Sequence, residues 1–145
     1  MNAIETIHAA ETTNRSRGRK LGRILKKYYV LPSKIRSIQL QIDQIESKAL
    51  ISNYDYDTVK AAGTKDPTAR IAELKTELAF AKRELEIFDQ FREVMPGPLI
   101  DIWEGLYNPK LGLNNNQLML KLRIDRKMYY RSKNELLDLI EEAFQ

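Results

Sequence analysis

Apolar residues recur at alternating spacings of three and four along two long stretches of the chain, a periodicity typical of helices that pack along one seam. A break is predicted at Pro32, after which Ser33 can cap a helix, and the first seam then comprises Ile35, Ile38, Ile42, Ile45 and Ala49. The second seam comprises Ile71, Leu74, Leu78, Ala81, Leu85 and Phe88. Asp66 followed by Pro67 predicts the start of this second helix, with Asp66 as its N-terminal cap and Pro67 as its first residue. Two such helices fold back on each other within one chain or pair between two copies, and the pattern leaves both arrangements open.

The surroundings of the second seam add two further expectations. Phe80, Ile87 and Phe91 lie off the seam and widen its apolar surface, which favours packing on the C-terminal region or on another copy.

The connection between the helices contains Tyr54-Asp55-Tyr56-Asp57, and alternating aspartates occur in calcium loops. The positions that follow lack the remaining oxygen ligands, so a solvated connection is the better interpretation.

The clearest interruption of the helical pattern is Met95-Pro96-Gly97-Pro98, because two prolines and a glycine disfavour helix. A new helix should begin near Pro98. Its predicted inner face comprises Leu99, Ile100, Trp103, Leu106 and Tyr107. Trp103 is the largest apolar anchor available there, so we interpret it as a packing residue and not as a base-stacking one.

Two short helical segments then follow with almost no gap. The first, roughly 116–122, would be capped by Asn115 or Asn116 and would turn Leu118, Met119 and Leu122 toward a core. Ile124 is expected as a buried plug in the turn, and Asp125 as the cap of the second segment. The inner side of that segment is predicted to carry Met128 or Tyr129, Ser132, Leu136, and Leu139 or Ile140. This is the outline of a helix-turn-helix.

The outer side of the last segment is strongly basic. Between Lys121 and Lys133 there are six cations against one acid, whereas 134–145 holds four acids and no base. The first turns of a recognition helix meet base edges, so the predicted base or near-base contacts are Arg126, Lys127 and Tyr130. The predicted phosphate contacts are Lys121, Arg123, Arg131 and Lys133. The competing interpretation is a solvated basic face of an ordinary helical bundle.

Charge is otherwise concentrated at the start of the chain, although the net charge of the 145 residues is only +4. Up to Lys34 there are eight basic residues against two acids. The possible accessory phosphate-binding residues are Arg15, Arg17, Arg19, Lys20, Arg23, Lys26 and Lys27. Residues 1 to about 16 favour turns, and Gly18 and Gly22 weaken a helix, so this segment is either a phosphate-binding arm or a loose, solubilising leader.

The composition argues against several classes of protein. The chain has no cysteine and a single histidine, His8, which leaves little for thiolate zinc sites or for histidine-based acid and base chemistry. It also lacks a glycine-rich phosphate loop, so we expect no enzyme, metal or cofactor. No apolar run reaches the roughly 18 residues of a membrane span, and we expect a cytoplasmic protein.

These patterns together predict an all-α protein with two long heptad-patterned helices, forming a coiled-coil hairpin or dimer, followed by a C-terminal three-helix domain of helix-turn-helix type. The predicted boundaries are 1–32 for the basic arm, partly disordered or helical, 33–95 for the heptad region and 96–145 for the DNA-binding domain.

The ordered combination resembles the ArpU/RinA-type phage transcriptional regulators, whose C-terminal module is similar to region four of sigma factors. The resemblance rests on a heptad helix, the Asp66-Pro67-Thr68-Ala69 start of a second long helix, and the Leu122-to-Tyr130 segment followed by Leu136. Leu122, Ile124 and Tyr130 match the family pattern, whereas Asp125 replaces serine. Arg123 and Met128 replace glycine and threonine, and a left-handed backbone at Arg123 would cost about 1 kcal/mol without glycine.

The resemblance implies a regulator of a phage, prophage or mobile island that binds double-stranded DNA and activates late genes for packaging, structure or lysis. It implies a homo-oligomer formed through the heptad helices, with a dimer favoured, and host RNA polymerase as a second partner in the bacterial cytoplasm and nucleoid. Two alternatives remain: a small terminase subunit, which would form a ring of many copies, and a helical adaptor that binds no DNA.

Overall fold

The protein is described by a computed structural model, which covers residues 3–51 and 66–144 and the side chains of 15–49 and 66–144. Within these residues the fold is all-helical and contains no strand, which confirms the predicted class. The helices are α1 (Ala3–Ile51), α2 (Pro67–Glu93), α3 (Gly97–Tyr107), α4 (Asn115–Leu122) and α5 (Arg126–Phe144). The Tyr54-Asp55-Tyr56-Asp57 segment lies outside the described residues.

Helix α1 runs through Pro32, so the predicted break at Pro32 and the predicted cap at Ser33 are wrong. The prediction of turns over residues up to about 16 is wrong from Ala3 onward. A proline inside a helix costs about 3 kcal/mol. Leu25, Leu31 and Ile38, on both sides of Pro32, are at most 4% exposed. Burying each such side chain contributes about 1.5 to 3 kcal/mol, which outweighs the lost hydrogen bond.

The predicted start of α2 and the predicted interruption after it are both confirmed. The amide of Thr68 donates to Asp66 Oδ1 at 3.1 Å, which is an N-terminal cap, and Pro67 is the first helical residue. Helix α2 ends at Glu93, before the Pro96-Gly97-Pro98 sequence, and α3 begins at Gly97.

The chain forms two compact units, whose boundaries fall within α1 and within α2. The second unit covers Val30–Gln90. Its core is a cluster of Ile38, Ile42, Leu74 and Leu78, against which Ile35, Ile45 and Ile71 pack. Residues of the two predicted seams therefore pack against each other within one chain. Phe80 and Ile87, which the sequence placed off the seam, are 73% and 40% exposed.

The first unit combines the chain up to Tyr29 with the chain from Phe91 onward. The sequence predicted residues 1–32 as a separate arm, but Leu21 and Leu25 are fully buried, so this part of α1 belongs to a core. Other core residues are Leu99, Ile102, Trp103, Leu118, Tyr129, Leu136 and Ile140. The expected packing role of Trp103 is confirmed: its side chain is fully buried, and its indole N–H donates to the Leu25 carbonyl at 3.0 Å.

The inner face of α3 is rotated slightly from the prediction. Ile102 is fully buried, whereas Ile100 and Leu106 are half-buried. Gly105 is also buried, because it lies so close to Leu118 that a Cβ there would meet Leu118 Cδ1 at 2.4 Å. This close approach of α3 and α4 determines which residues of α3 face inward.

A single arginine connects α1, α2 and α3 in the first unit. The Arg92 guanidinium lies 4.5 Å from the Tyr28 ring centre and 4.6 Å from that of Trp103, both favourable cation–π distances. It also donates to Glu104 at 2.5 Å and to the Tyr29 hydroxyl at 3.4 Å. No local pattern in α2 indicates these partners, so the sequence alone gives Arg92 no role.

Candidate nucleic-acid interface

The cap of α4 lies one residue earlier than predicted. Asn114, and not Asn115 or Asn116, accepts from the Gln117 amide at 2.8 Å, while the Gln117 side chain accepts from the Asn114 amide at 3.0 Å. This reciprocal capping box satisfies two amides at once, which favours Asn114 over its neighbours. Asn115 is left to use its side-chain oxygen elsewhere, and it accepts from the Tyr129 hydroxyl at 2.5 Å and from Lys133 Nζ at 3.2 Å.

The connection between α4 and α5 is only three residues long, and its backbone is unusual. Arg123 adopts the left-handed conformation, with φ 55° and ψ 42°, and it is the only non-glycine residue with positive φ in the described part of the chain. Asp125 caps α5 as predicted, because its carboxylate accepts from the Met128 amide at 2.7 Å. Ile124 is half-buried and not the buried plug expected, and its neighbours Arg123 and Asp125 are exposed.

The inner side of α5 agrees with the prediction and resolves both of its open choices. Tyr129 is fully buried while Met128 is 52% exposed, and Ile140 is fully buried while Leu139 is half-buried. Ser132 and Leu136 are buried, as expected. Leu118 of α4 is buried, but Met119 and Leu122 are half-buried.

The outer side of α5 carries the predicted base contacts. Arg126 and Lys127 are exposed in the first turn, and Tyr130 is half-buried one turn later. The Arg126 guanidinium lies 5.4 Å from the Tyr130 ring centre, and Lys133 Nζ lies 5.8 Å from it on the same helix. The Tyr130 ring is therefore bracketed by two cations along one face of α5.

The predicted phosphate contacts differ in their surroundings. Lys121, Arg123 and Arg131 are exposed. Lys133 is half-buried, and burial lowers the pKa of its ammonium group below the ordinary value of 10.5. Its hydrogen bond to Asn115 holds the charge beside α4, so Lys133 is fixed in position while the other three cations extend into solvent.

Four of the seven basic residues proposed on α1 line one groove. Arg15, Arg19, Arg23 and Lys26 share it with Tyr107 of α3 and with Tyr130 and Lys133 of α5, and its volume is about 580 Å³. Their spacings of four, four and three place them on one helical face, a signal that the sequence offered and the basic-arm interpretation overlooked.

The other three basic residues on α1 lie elsewhere. Arg17 donates to Asp138 at 2.5 Å and forms a second, shorter ion pair with Glu141. Lys20 borders a neighbouring depression that it shares with Arg15 and Arg19, and Lys27 is exposed. Arg17 is therefore engaged by two acids of α5 and is not among the residues that line the groove.

Two other kinds of site receive no support within residues 3–51 and 66–144. No group of three histidine, cysteine or acidic side chains there could hold a metal ion. None of the described helices combines the length and the apolar character that crossing a membrane requires. Comparisons with models of known families, with curated proteins and with solved structures find no match for this chain.

Proposed function

We propose that this protein is a sequence-specific regulator that binds double-stranded DNA through a helix-turn-helix formed by α4, the turn 123–125 and α5. One observation carries the proposal: a capped helix buries Tyr129, Ser132 and Leu136 on one side and exposes Arg126 and Lys127 at its start. The buried side of α5 thus holds the helix in the core, while Arg126 and Lys127 in its first turn are exposed and can contact DNA.

In this proposal the first two turns of α5 enter the major groove. Arg126 and Lys127 donate to the acceptor edges of bases, for which guanine O6 and N7 are the preferred partners of arginine. Tyr130 contacts a base edge or a thymine methyl group. Lys121, Arg123 and Arg131 lie where phosphates flank the groove, and they fix the register without reading sequence.

The biological role is proposed from the resemblance to the ArpU/RinA-type regulators. The protein would activate late genes of a phage or mobile island in the bacterial cytoplasm, in contact with host RNA polymerase. The described structure is compatible with the combination on which the resemblance rests, namely two packed heptad helices followed by three shorter ones. The left-handed backbone at Arg123 also occupies the position at which the family pattern has glycine.

We propose further that the heptad helices form a coiled-coil hairpin within each chain and that the protein is a dimer. Ile38, Ile42, Leu74 and Leu78 already cover one another, so a second copy would need another surface. Phe80 and Ile87, seven residues apart on α2, are exposed on one helical face and are the candidates. Light scattering tests this, because a dimer has twice the chain's 16.9 kDa mass, whereas a terminase ring would have eight or more copies.

Selection from a random duplex library at about 150 mM salt tests the DNA-binding proposal directly. We expect enrichment of one motif, and a gel-shift series should show that the selected duplex binds at least tenfold more tightly than a scrambled duplex. The double variant Arg126→Ala/Lys127→Ala should lose this preference, at a cost of about 1 to 3 kcal/mol for each lost base contact.

A matched control is available on α2, where Lys75 and Lys82 are exposed. The variant Lys75→Ala/Lys82→Ala has the same change in net charge and should keep the preference for the selected duplex. Failure of the wild-type protein to enrich any motif would refute sequence-specific binding and leave the helical adaptor as the remaining interpretation.

A further inference from the structure

The groove between α1, α3 and α5 has an unusual concentration of like charge. Its lining residues in the described part of the chain include five cations and no carboxylate. Arg15, Arg19, Arg23 and Lys26 form the α1 side, and Lys133 lies opposite them on α5. Like charges four residues apart on a helix repel each other and lower its stability. The row of cations on α1 therefore destabilises the helix unless an anion binds and neutralises it.

The length of the row fits an extended polyanion. Arg15 and Lys26 are eleven positions apart on a continuous helix. At a rise of about 1.5 Å per residue, the row spans about 16 Å. Successive phosphates of one DNA strand advance about 3.4 Å along the duplex axis and lie farther apart along the strand itself, so a row of this length can contact a few consecutive phosphates. A single small anion would occupy only part of it.

The two walls of the groove are held together by ion pairs outside it and by a close approach of two of its lining residues. Arg17 pairs with Asp138 and Glu141, which joins α1 to α5. Gly22 allows α1 to approach α3 closely, since a Cβ at this position would meet Tyr107 Cε1 at 3.3 Å. The cations of α1 are therefore presented from a fixed wall, which reduces the entropy lost when a partner binds.

The groove is continuous with the helix face proposed to read DNA. Tyr130 lines the groove, and the Arg126 guanidinium lies 5.4 Å from the centre of the same ring. An anion that follows the groove therefore arrives beside the first turn of α5. This continuity identifies the occupant as a strand of the DNA that α5 contacts.

We propose that this groove binds the phosphate backbone of the DNA strand that borders the bases read by α5, with Arg19 and Arg23 as its central phosphate contacts. The inference rests on the proposed function. The row on α1 adds affinity that does not depend on sequence, and Lys133 supplies a charge from the opposite wall. Neither Arg19 nor Arg23 reads a base.

The salt dependence of binding tests this assignment. For the selected duplex, the slope of log K against log salt should fall in magnitude by about 1.8 in Arg19→Gln/Arg23→Gln, since each lost phosphate contact contributes about 0.9. Affinity for the selected and scrambled duplexes should fall by the same factor, so that their ratio is unchanged. The control Lys34→Gln/Arg36→Gln removes two exposed cations from the same helix outside the groove and should change neither slope nor ratio.

Each outcome decides between the two proposals. If the wild-type protein prefers no duplex, the proposed function fails. The groove assignment is overturned, and the proposed function stands, if the wild-type protein prefers one duplex but Arg19→Gln/Arg23→Gln has the same salt slope as its control. The same conclusion follows if this variant changes the ratio of the affinities for the selected and scrambled duplexes. The variant Arg19→Lys/Arg23→Lys keeps the charge and should keep the slope, which separates charge from folding. A single-stranded oligonucleotide of the same sequence should bind the wild-type protein more weakly than the duplex does. If Arg19→Gln/Arg23→Gln weakens binding of the single strand but not of the duplex, the groove does not bind duplex DNA.

Discussion

Arg17 of α1 and Glu141 of α5 form an ion pair between residues that are 124 positions apart in the chain. Asp138, one turn earlier on α5, accepts from the same guanidinium at 2.5 Å. Two of the four acids that follow Lys133 are thereby engaged with a cation of α1. The acidic end of α5 therefore does more than offset the positive charge of the first turn of this helix, because it binds a specific cation of α1.

The ion pair should contribute modestly to stability and should be sensitive to salt. Both side chains are about one-third exposed, so we expect Arg17→Met to lower the free energy of unfolding by about 1 kcal/mol at low salt. The difference from wild type should shrink at 1 M salt, where the Debye length is only about 3 Å. Urea denaturation at both salt concentrations measures this. Arg36→Met, at an exposed position of the same helix, is the control and should show little change at either concentration.

The left-handed backbone of Arg123 predicts a stabilising substitution. Arg123→Gly removes the contact between Cβ and the backbone that makes this conformation unfavourable, so we expect the free energy of unfolding to rise by up to about 1 kcal/mol. Arg123→Ala removes the same charge but keeps the Cβ, so it should give no such gain. Urea denaturation of both variants checks the prediction. Equal stability of the glycine and alanine variants would show that charge, and not backbone strain, decides the effect.

Local signals in the sequence were sufficient for many elements of the fold. Asp125 and Asp66 were identified as caps because a cap depends only on the next few amides. The same kind of signal could also have selected Asn114 from three consecutive asparagines, since Gln117 lies three positions later and completes the capping box. The seams and the anchor Trp103 followed from periodicity and size.

Contacts between distant segments could not be predicted in the same way. Pro32 remains helical because residues on both sides of it are buried, and the sequence around Pro32 does not reveal that burial. The environment of Arg92 depends on rings from α1 and α3. For the candidate site, the sequence identified the exposed cations of α5, whereas the groove required knowing that α1 lies beside α5.

Gly105 should be intolerant of any side chain. A Cβ there would lie 2.4 Å from one methyl of Leu118 and 2.9 Å from the other, and Leu118 is 1% exposed and thus closely packed. We expect Gly105→Ala to lower the free energy of unfolding by about 1 to 3 kcal/mol, despite the better helix propensity of alanine.

Gly18 is the matched control for Gly105. It also lies within a helix, but nothing comes within 4 Å of a Cβ at this position. Gly18→Ala should therefore raise the free energy of unfolding by up to about 1 kcal/mol through helix propensity. Thermal and urea denaturation of the two variants should give changes of opposite sign. A gain in both would show that α3 and α4 can separate without loss.

Glu104 should contribute to the acid sensitivity of the fold. Burial alone would raise its pKa, but hydrogen bonds from Tyr29, Asn108 and Arg92 outweigh burial and hold the pKa below the ordinary 4.5. The unfolded chain therefore binds more protons than the folded one just below pH 4.5. The stabilisation is present above that pH and is lost as the pH falls through the folded-state pKa.

Glu104→Gln should flatten this part of the pH dependence. We expect the free energy of unfolding of the variant to fall less steeply than that of wild type below pH 4.5, and urea denaturation over a pH series measures the slope. Glu93→Gln, at an exposed position near Arg92, is the control and should follow the wild-type slope. If Glu104→Gln has the same slope as wild type, the carboxylate is not the source of the acid sensitivity.

Lys133 should show opposite effects on stability and on DNA binding. Its ammonium group is half-buried, and burial lowers its pKa. The charged form is therefore less well solvated in the folded protein than in water. In Lys133→Met the aliphatic part of the side chain is retained, and Asn115 Oδ1 keeps the Tyr129 hydroxyl as a donor. We expect the free energy of unfolding to rise by on the order of 1 kcal/mol.

The same variant should bind duplex DNA less tightly, because it removes a cation from the groove. Arg131→Met is the matched comparison: its side chain is exposed, so its stability should stay within about 0.5 kcal/mol of wild type while its affinity also falls. Urea denaturation and fluorescence anisotropy with the selected duplex measure the two properties. If Lys133→Met is destabilised, the hydrogen bond to Asn115 contributes more stability than the burial of the charge costs. Lys133 would then stabilise the fold in addition to any role in binding.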